Sequence, residues 1–171
     1  MGRVVVVSKK ERIDIPKTAL EMMANIAGYS IFAVTLVLTV FTWDSLPERV
    51  PVHFNASGDA DRYGTAFELL MLPLIGIVVG ITMEALERHP EIHNYPIRLS
   101  DSNRREFYLN SRKILNLTKN MVFIIFSIVI LEMLSVAING TSLIGGWMLP
   151  AILVLGLWPM VYGLLERRKI I

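Results

Sequence analysis

Cysteine is absent from the 171-residue sequence, and charged residues are scarce. The lack of cysteine excludes disulfides, thiolate metal sites and cysteine nucleophiles. Asp, Glu, Lys and Arg together make up only 19% of the chain, against 53% hydrophobic residues and a mean hydropathy of +0.51. A soluble domain of this length usually carries more charge and has shorter apolar runs. The composition therefore indicates a membrane protein.

The sequence motifs of common enzymes are also missing. There is no serine elbow, no HExxH zinc motif, no Walker loop and no dinucleotide fingerprint. The net charge of +2 is too small to indicate nucleic-acid binding. We therefore expect a non-enzymatic protein with no cofactor and no nucleic-acid partner.

Four long apolar runs dominate what is present. A helix of about 20 apolar residues crosses the ~30 Å of hydrocarbon in a bilayer. One such run could be a core helix of a soluble protein, but four together predict an all-α membrane protein with the lipid bilayer as its partner. We expect a four-transmembrane-helix bundle that forms a single integral membrane domain over residues 1–171. The predicted helices are residues 22–43, 68–87, 118–138 and 143–165.

Lysine and arginine are distributed unevenly between these helices. Fifteen of the 17 lie before the first helix, between the second and the third, or after the fourth, whereas loop 44–67 has only Arg49 and Arg62. Basic segments stay on the cytoplasmic side. The distribution predicts a multi-pass protein of the cell membrane with both termini and the basic segment 88–117 in the cytoplasm. Loop 44–67 is then extracytoplasmic.

The N-terminal segment carries no recognisable removable signal. No small-residue cleavage pattern follows the first apolar run, so we expect this run to be retained. Gly2 does not form a myristoylation motif because position 6 is Val6 rather than Ser or Thr. The stretch Val4 to Val7 fits a short strand or an amphipathic lead equally well.

The basic segment contains a second helical pattern. A helix is predicted from about Asn103, capped by Asp101 or Ser102, and is either a surface helix or an extension of the third transmembrane helix. We favour the extension because no proline or glycine separates this helix from Asn120. His89 and His93 have the i, i+4 spacing of helical metal ligands, but Pro90 disfavours a helix there. We expect surface histidines in a loop.

Loop 44–67 is rich in residues that fix the backbone. Pro47 and Pro51 predict a stiff extended segment over residues 46–54. The following stretch NASGDADRYG is dense in turn formers and predicts a sharp bend, with Gly58 able to take positive φ. Such a loop can pack on the helix ends.

The order of residues in this region resembles a known family. Leu46-Pro47, Pro51-Val52-His53-Phe54-Asn55, Gly58, Asp61 and Tyr63, followed by a helix containing Pro73, are similar to the small membrane domain of unknown function that begins the SdpI-type bacterial immunity proteins. In that family, further helices follow this domain. The resemblance implies an immunity or signalling-like role.

Several polar side chains of the loop are candidate ligand-binding or loop-structuring residues: His53, Asn55, Gly58, Asp59, Asp61 and Tyr63. In one interpretation Asn55 and Asp61 cap turns, and His53 hydrogen-bonds a carbonyl or carboxylate to close the loop. In another, the surface recognises an extracytoplasmic peptide, a lipid or another membrane protein. A cation site is the weakest interpretation, with His53, Asp59 and Asp61 as its candidate ligands.

Glu132 is a carboxylate inside the third apolar run. It shares a helical stripe with Ser135 and Asn139, which leads toward the outer face. This intramembrane polar stripe is either an interhelical hydrogen-bonding feature that fixes the packing or part of a ligand or ion pathway.

Gly76 and Gly80 have GxxxG spacing in the second helix, and Glu84 continues the same face. This spacing predicts a packing seam, either within the monomer or between the protomers of a homo-oligomer. Glu84 can also pair with Arg88 one turn later.

Two functions are consistent with these features. The first is a non-enzymatic membrane protein of the SdpI-domain type whose outer loop recognises a peptide, lipid or partner protein. The alternative is a small subunit of a larger membrane complex such as a transporter, with Glu132 and the glycine seam buried against another chain.

Overall fold

The computed structural model describes residues 11–171. Its elements are α1 (Ala19–Phe41), β1 (Val50–Phe54), β2 (Ala60–Gly64), α2 (Met71–Glu87), α3 (Arg104–Asn139) and α4 (Met148–Arg168). Short 3-10 turns precede α2 and α4, at Ala66–Leu70 and Gly145–Trp147. The interpretations of Gly2 and of Val4 to Val7 lie outside the described residues.

Within the described chain, four helices are long and apolar enough to cross a membrane. Counted with their adjoining 3-10 turns, they are Ala19–Phe41, Ala66–Glu87, Arg104–Asn139 and Gly145–Arg168. The prediction of four such helices is confirmed, and the chain is a multi-pass membrane protein by this criterion. We call the end of the bundle that carries the β-hairpin the hairpin end, and the end where α1 begins and α4 finishes the basic end.

α3 is the central helix of the bundle, and α1, α2 and α4 each pack against it. Its 36 residues extend for about 54 Å at 1.5 Å per residue, well beyond the thickness of a bilayer core. Its first turns therefore project past the apolar part of the bundle at the basic end. The helix runs without a break from Arg104, so the predicted extension of the third transmembrane helix is what the structure shows.

The start of α1 is fixed by a capping box. The Thr18 hydroxyl accepts a hydrogen bond from the backbone N–H of Glu21, and the Glu21 carboxylate accepts one from the backbone N–H of Thr18 at 2.7 Å. Both orphan amides are thereby satisfied. Glu21 also contacts α3, so the cap of α1 is part of its tertiary packing.

The prediction of an all-α fold is wrong for loop 44–67, because the predicted extended segment pairs with the chain after the turn. β1 and β2 form an antiparallel hairpin, with Val50 opposite Gly64 and Phe54 opposite Ala60. The register is irregular on both sides of His53. Pro51 has no N–H to donate, which fits a short edge strand with a bulge. The protein is a helical bundle with a two-stranded cap.

The glycine seam of α2 is occupied within the chain. A Cβ atom on Gly76 would lie 2.7 Å from the Phe32 ring, and one on Gly80 would lie 2.5 Å from the Phe123 ring. Phe32 and Phe123 stack on each other with centroids 4.8 Å apart. The two glycines therefore let α2 approach the aromatic side chains of α1 and α3.

Candidate functional site

The tip of the hairpin is closed by Asn55. Its side-chain oxygen accepts hydrogen bonds from the backbone N–H groups of Ser57 and Asp59, at 2.9 and 3.0 Å. Its own backbone N–H donates to the Asp59 carbonyl at 2.9 Å. This is an Asx-type turn in which one side chain substitutes for missing backbone partners. Asn55 therefore has the predicted turn-capping role.

Gly58 joins the hairpin tip to the turn between α3 and α4. It has a φ of +83°, and a Cβ atom at this position would overlap the backbone of Gly145. Gly146 lies close by as well, because a Cβ on it would be 3.3 Å from the Ser57 carbonyl oxygen. Only a glycine fits both the left-handed conformation and the close approach at position 58.

Glu132 holds the turn that Gly58 packs against. The buried carboxylate accepts hydrogen bonds from the Ser142 hydroxyl and from the backbone N–H groups of Leu143 and Ile144, the latter two at 3.0 and 3.3 Å. Three donors from one turn satisfy a carboxylate that would otherwise be costly to bury. These contacts join α3 to the turn before α4, whereas the packing interpretation expected a hydrogen bond to another helix.

The other two residues of the predicted stripe have separate surroundings. The Ser135 hydroxyl donates to the Thr141 carbonyl at 2.8 Å and so supports the same turn. Asn139 is the last residue of α3 and is exposed. Gly140 follows with a φ of +68° and ends the helix.

The base of the hairpin is anchored in the apolar core. Val50 and Leu69 are fully buried, and Leu69 packs with Ile130, Met133 and Leu134 of α3. Val52 and Phe54 of β1 pack against the same cluster. The hairpin is therefore held at its base by apolar contacts and at its tip by the turn that Glu132 organises.

Polar contacts secure the return of the chain from β2 into α2. Glu68 accepts hydrogen bonds from the Thr65 backbone N–H at 3.1 Å and from the Arg62 guanidinium at 3.0 Å. Arg49 donates to the Tyr63 carbonyl at 3.0 Å across the hairpin. Arg49 thus holds the hairpin backbone directly, and Arg62 contacts the Glu68 side chain.

The hairpin carries an exposed histidine–aspartate pair. The Nδ1 atom of His53 lies 2.6 Å from the Asp61 carboxylate, and 63% of the His53 side chain is exposed. Asp61 therefore contacts His53 and does not cap the turn, which corrects half of the turn interpretation. Tyr63 is exposed beside it on β2, and Asp59 is exposed at the turn. Among residues 11–171 no group of three or more His, Cys, Asp or Glu side chains could hold a metal ion, so the cation interpretation gains no ligand set.

A pocket of about 350 Å³ lies under the hairpin. Its upper part is formed by the polar side chains of His53, Arg62 and Glu68 together with β1. Its lower part is apolar and is formed by residues of α2, α3 and α4: Met71, Leu72, Ile75, Val129, Met133, Met148 and Ile152. The volume lies within the range of about 300–1,000 Å³ that is typical of small-ligand sites.

The basic end contains a buried ion-pair network that the sequence analysis missed. Arg112 of α3 donates to both carboxylate oxygens of Glu21, at 2.8 and 3.1 Å, and to the backbone carbonyls of Ile15 and Pro16. Glu21 is fully buried, and Arg112 nearly so. The pair fastens the start of α1 and the chain before it to α3.

A second buried cation joins α3 to α2. Lys119 is 0% exposed and lies 2.5 Å from Glu84 and 2.7 Å from Glu87. Asn116 donates to the other Glu87 oxygen at 2.9 Å. Glu84 also contacts Arg88, at 3.7 Å, as the i, i+4 spacing predicted. Lys17 lies 3.3 and 3.4 Å from the same two carboxylates, so two lysines balance two glutamates.

Amides extend the network to α1. Asn25 accepts hydrogen bonds from Asn116 and Asn120, both at 2.9 Å. Gly28 makes room for this contact, because a Cβ atom there would overlap the Asn120 side chain. One sequence pattern could have indicated this network. Asn116, Lys119 and Asn120 have i, i+3 and i+4 spacing and therefore lie on one face of a helix.

The segment between α2 and α3 folds against the projecting part of α3. His93 contacts Ser111 at 2.8 Å and the Leu86 carbonyl at 3.0 Å, whereas His89 contacts Glu91 at 2.9 Å. The two histidines therefore point to different partners, as expected for loop residues. Tyr95 stacks on Tyr108. Burial raises the pKa of Tyr95 well above its ordinary value. The phenol is thus protonated and donates to the Pro90 carbonyl at 2.7 Å.

Comparisons with known proteins give a family match in the first half of the chain. Residues 30–77 match a family described as a domain of unknown function, DUF1648. This match covers the second half of α1, the hairpin and the start of α2, and includes the stretch Leu46 to Pro73 on which the resemblance was based. The match is consistent with a small domain of unknown function, and the connection to SdpI-type immunity proteins stays a prediction.

A search of curated proteins finds a relative that resembles part of this chain. An uncharacterized protein of Archaeoglobus fulgidus is 35% identical over 83 residues, with 44% of this chain and 40% of that protein covered. The chain thus spans well under two thirds of that relative. No solved structure matches the chain.

Replacing Gly58 by alanine should loosen the hairpin tip far more than replacing Arg62 by alanine. The first change forces a side chain into the left-handed region, at about 1–2 kcal/mol, and into the Gly145 backbone. The second removes one exposed ion pair worth about 0.2–1 kcal/mol. Limited proteolysis of loop 44–67 reports the difference. Equal cleavage rates in the two variants would contradict a hairpin tip docked on Gly145.

Proposed function

We propose that this chain is a non-enzymatic receptor-type membrane protein whose hairpin end recognises an extracytoplasmic peptide. The observation that carries the proposal is the pocket of about 350 Å³ under a hairpin that is anchored at both its base and its tip. A preformed pocket on a rigid support lowers the entropic cost of binding. The resemblance to the immunity-protein domain supports an immunity or signalling-like role.

The chemistry of the pocket favours a peptide over a lipid headgroup. Its polar edge carries both signs of charge, because Arg62 lies 3.0 Å from Glu68. Donors and acceptors in alternation suit peptide N–H and carbonyl groups and charged side chains. The apolar lower part can then receive one large apolar side chain of the same peptide.

The strands offer a second means of binding a peptide. β1 packs against α3, and β2 pairs only with β1 in the described chain. β2 therefore has one edge without a strand partner. Such an edge can accept an extended peptide as a third strand, with main-chain hydrogen bonds supplying affinity.

The two sequence features that favoured a subunit of a larger complex are explained by contacts within this chain. Glu132 is bound by the Ser142 to Ile144 turn of its own chain, and Gly76 and Gly80 pack against its own phenylalanines. Neither feature needs a second chain to be satisfied. We therefore prefer the receptor-type function.

The proposal places loop 44–67 outside the cell membrane and both termini inside. Because the native chain has no cysteine, single-cysteine variants can be made without first replacing native cysteines. A membrane-impermeant maleimide should label Asn55→Cys in intact cells and label Arg105→Cys only after permeabilisation. The reverse pattern would show that the hairpin faces the cytoplasm.

A random peptide library displayed on phage tests the recognition itself. The detergent-purified full chain should enrich peptides that contain an apolar residue flanked by charged ones. Filling the pocket with Ile152→Trp should weaken the selected peptides by about tenfold or more, the equivalent of losing one buried apolar side chain. The matched control is Leu153→Trp at the neighbouring exposed position, which should bind like the wild type. No enrichment, or equal binding by both variants, would refute the proposal.

A further inference from the structure

A second and larger groove lies between α1 and α2, away from the hairpin. It has a volume of about 620 Å³, and its lining is almost entirely apolar. Phe32 and Leu36 of α1, Ile77 and Ile81 of α2 and Phe123 of α3 form most of it. Since both helices belong to the membrane-spanning set, this groove lies at the depth of lipid tails.

The groove changes character at its basic end. Tyr29, Glu84 and Arg88 line it there, next to the point where α2 ends. A separate pocket of about 330 Å³ begins at the same place, and Arg88 lines both. This second pocket is lined by the basic side chains of Arg12, Lys17, Arg88 and Arg112 and the acidic ones of Asp14 and Glu87.

Internal ion pairs decide which of these charges are available to a ligand. Lys119 and Lys17 together balance Glu84 and Glu87, and Glu21 balances Arg112. Arg88 is different, because 70% of its side chain is exposed and its guanidinium is 3.7 Å from Glu84, beyond hydrogen-bonding distance. Lys17 already donates to Glu84 at 3.3 Å and lies 3.4 Å from Glu87. Arg88 therefore supplies the accessible positive charge where the two cavities meet.

We propose that this composite site binds a membrane phospholipid with a net negative headgroup. One acyl chain lies in the apolar groove, and the phosphate is bound by Arg88 at its basic end. Two features favour this occupant. The site passes from apolar to basic at the boundary where a lipid passes from tail to headgroup, and guanidinium groups bind phosphate oxygens in a fork geometry. The proposal does not depend on the hairpin or on the peptide-binding function.

Lipid titration of the delipidated full chain in mild detergent tests the proposal, with native mass spectrometry as the readout. Phosphatidylglycerol is the anionic probe, and phosphatidylcholine, which has no net charge, is its control. The wild type should bind phosphatidylglycerol more tightly. Arg88→Gln should weaken phosphatidylglycerol by about fivefold, the loss expected for one basic contact near a headgroup, and leave phosphatidylcholine unchanged.

Two further variants distinguish specific binding at this site from non-specific electrostatic attraction of the lipid. Arg105→Gln removes an exposed basic residue of α3 at the same end, and it should bind phosphatidylglycerol like the wild type. Ala85→Phe places a ring in the apolar groove and should weaken phosphatidylglycerol at least as much as Arg88→Gln. Equal binding of the two lipids by the wild type, equal effects of Arg88→Gln and Arg105→Gln, or unchanged binding by Ala85→Phe would each overturn the proposal.

Discussion

The compensation of buried charge on α3 is the constraint on which the rest of the structure depends. Arg112 and Lys119 both lie on the central helix and are almost completely removed from solvent. A cation in such a place is tolerated only when carboxylates and hydrogen-bond acceptors surround it. α1 supplies Glu21 and α2 supplies Glu84 and Glu87, so the packing of both helices on α3 follows from this requirement. Removing one member of such a pair typically costs about 3–5 kcal/mol because its partner remains buried and charged.

The opposite end of α3 repeats this principle with a carboxylate. Glu132 accepts hydrogen bonds from the turn before α4. The hairpin tip packs against the same turn at Gly58. The central helix therefore organises both ends of the bundle, by ion pairs at one end and by a backbone-bound carboxylate at the other. The hairpin with its pocket becomes a rigid surface, and the groove between α1 and α2 becomes a stable cavity, because the elements that form them are fixed on α3.

The transmembrane helices were predictable because hydropathy is a local property of the chain. The turn at Asn55 and Gly58 was predictable for the same reason, since these residues act on the backbone beside them. The pairing of β1 with β2 was missed because Pro51 argues against a strand and Ala60 to Gly64 contains too few apolar residues to show a clear alternation. The partners of Arg112 and Lys119 were out of reach, since Glu21 is 91 residues from Arg112 and Glu84 is 35 residues from Lys119. Their pairing depends on how the helices pack, which no single segment encodes.

A double-mutant cycle between Glu21 and Arg112 tests the central claim most directly. The free energy of unfolding in detergent would be measured for the wild type, Glu21→Gln, Arg112→Gln and the double variant. The exposed pair Glu166 and Lys169 serves as the control cycle. The account predicts a coupling above about 1 kcal/mol for Glu21 with Arg112 and no measurable coupling in the control. Additive effects of the two buried substitutions would contradict the claim that this ion pair fastens α1 to α3.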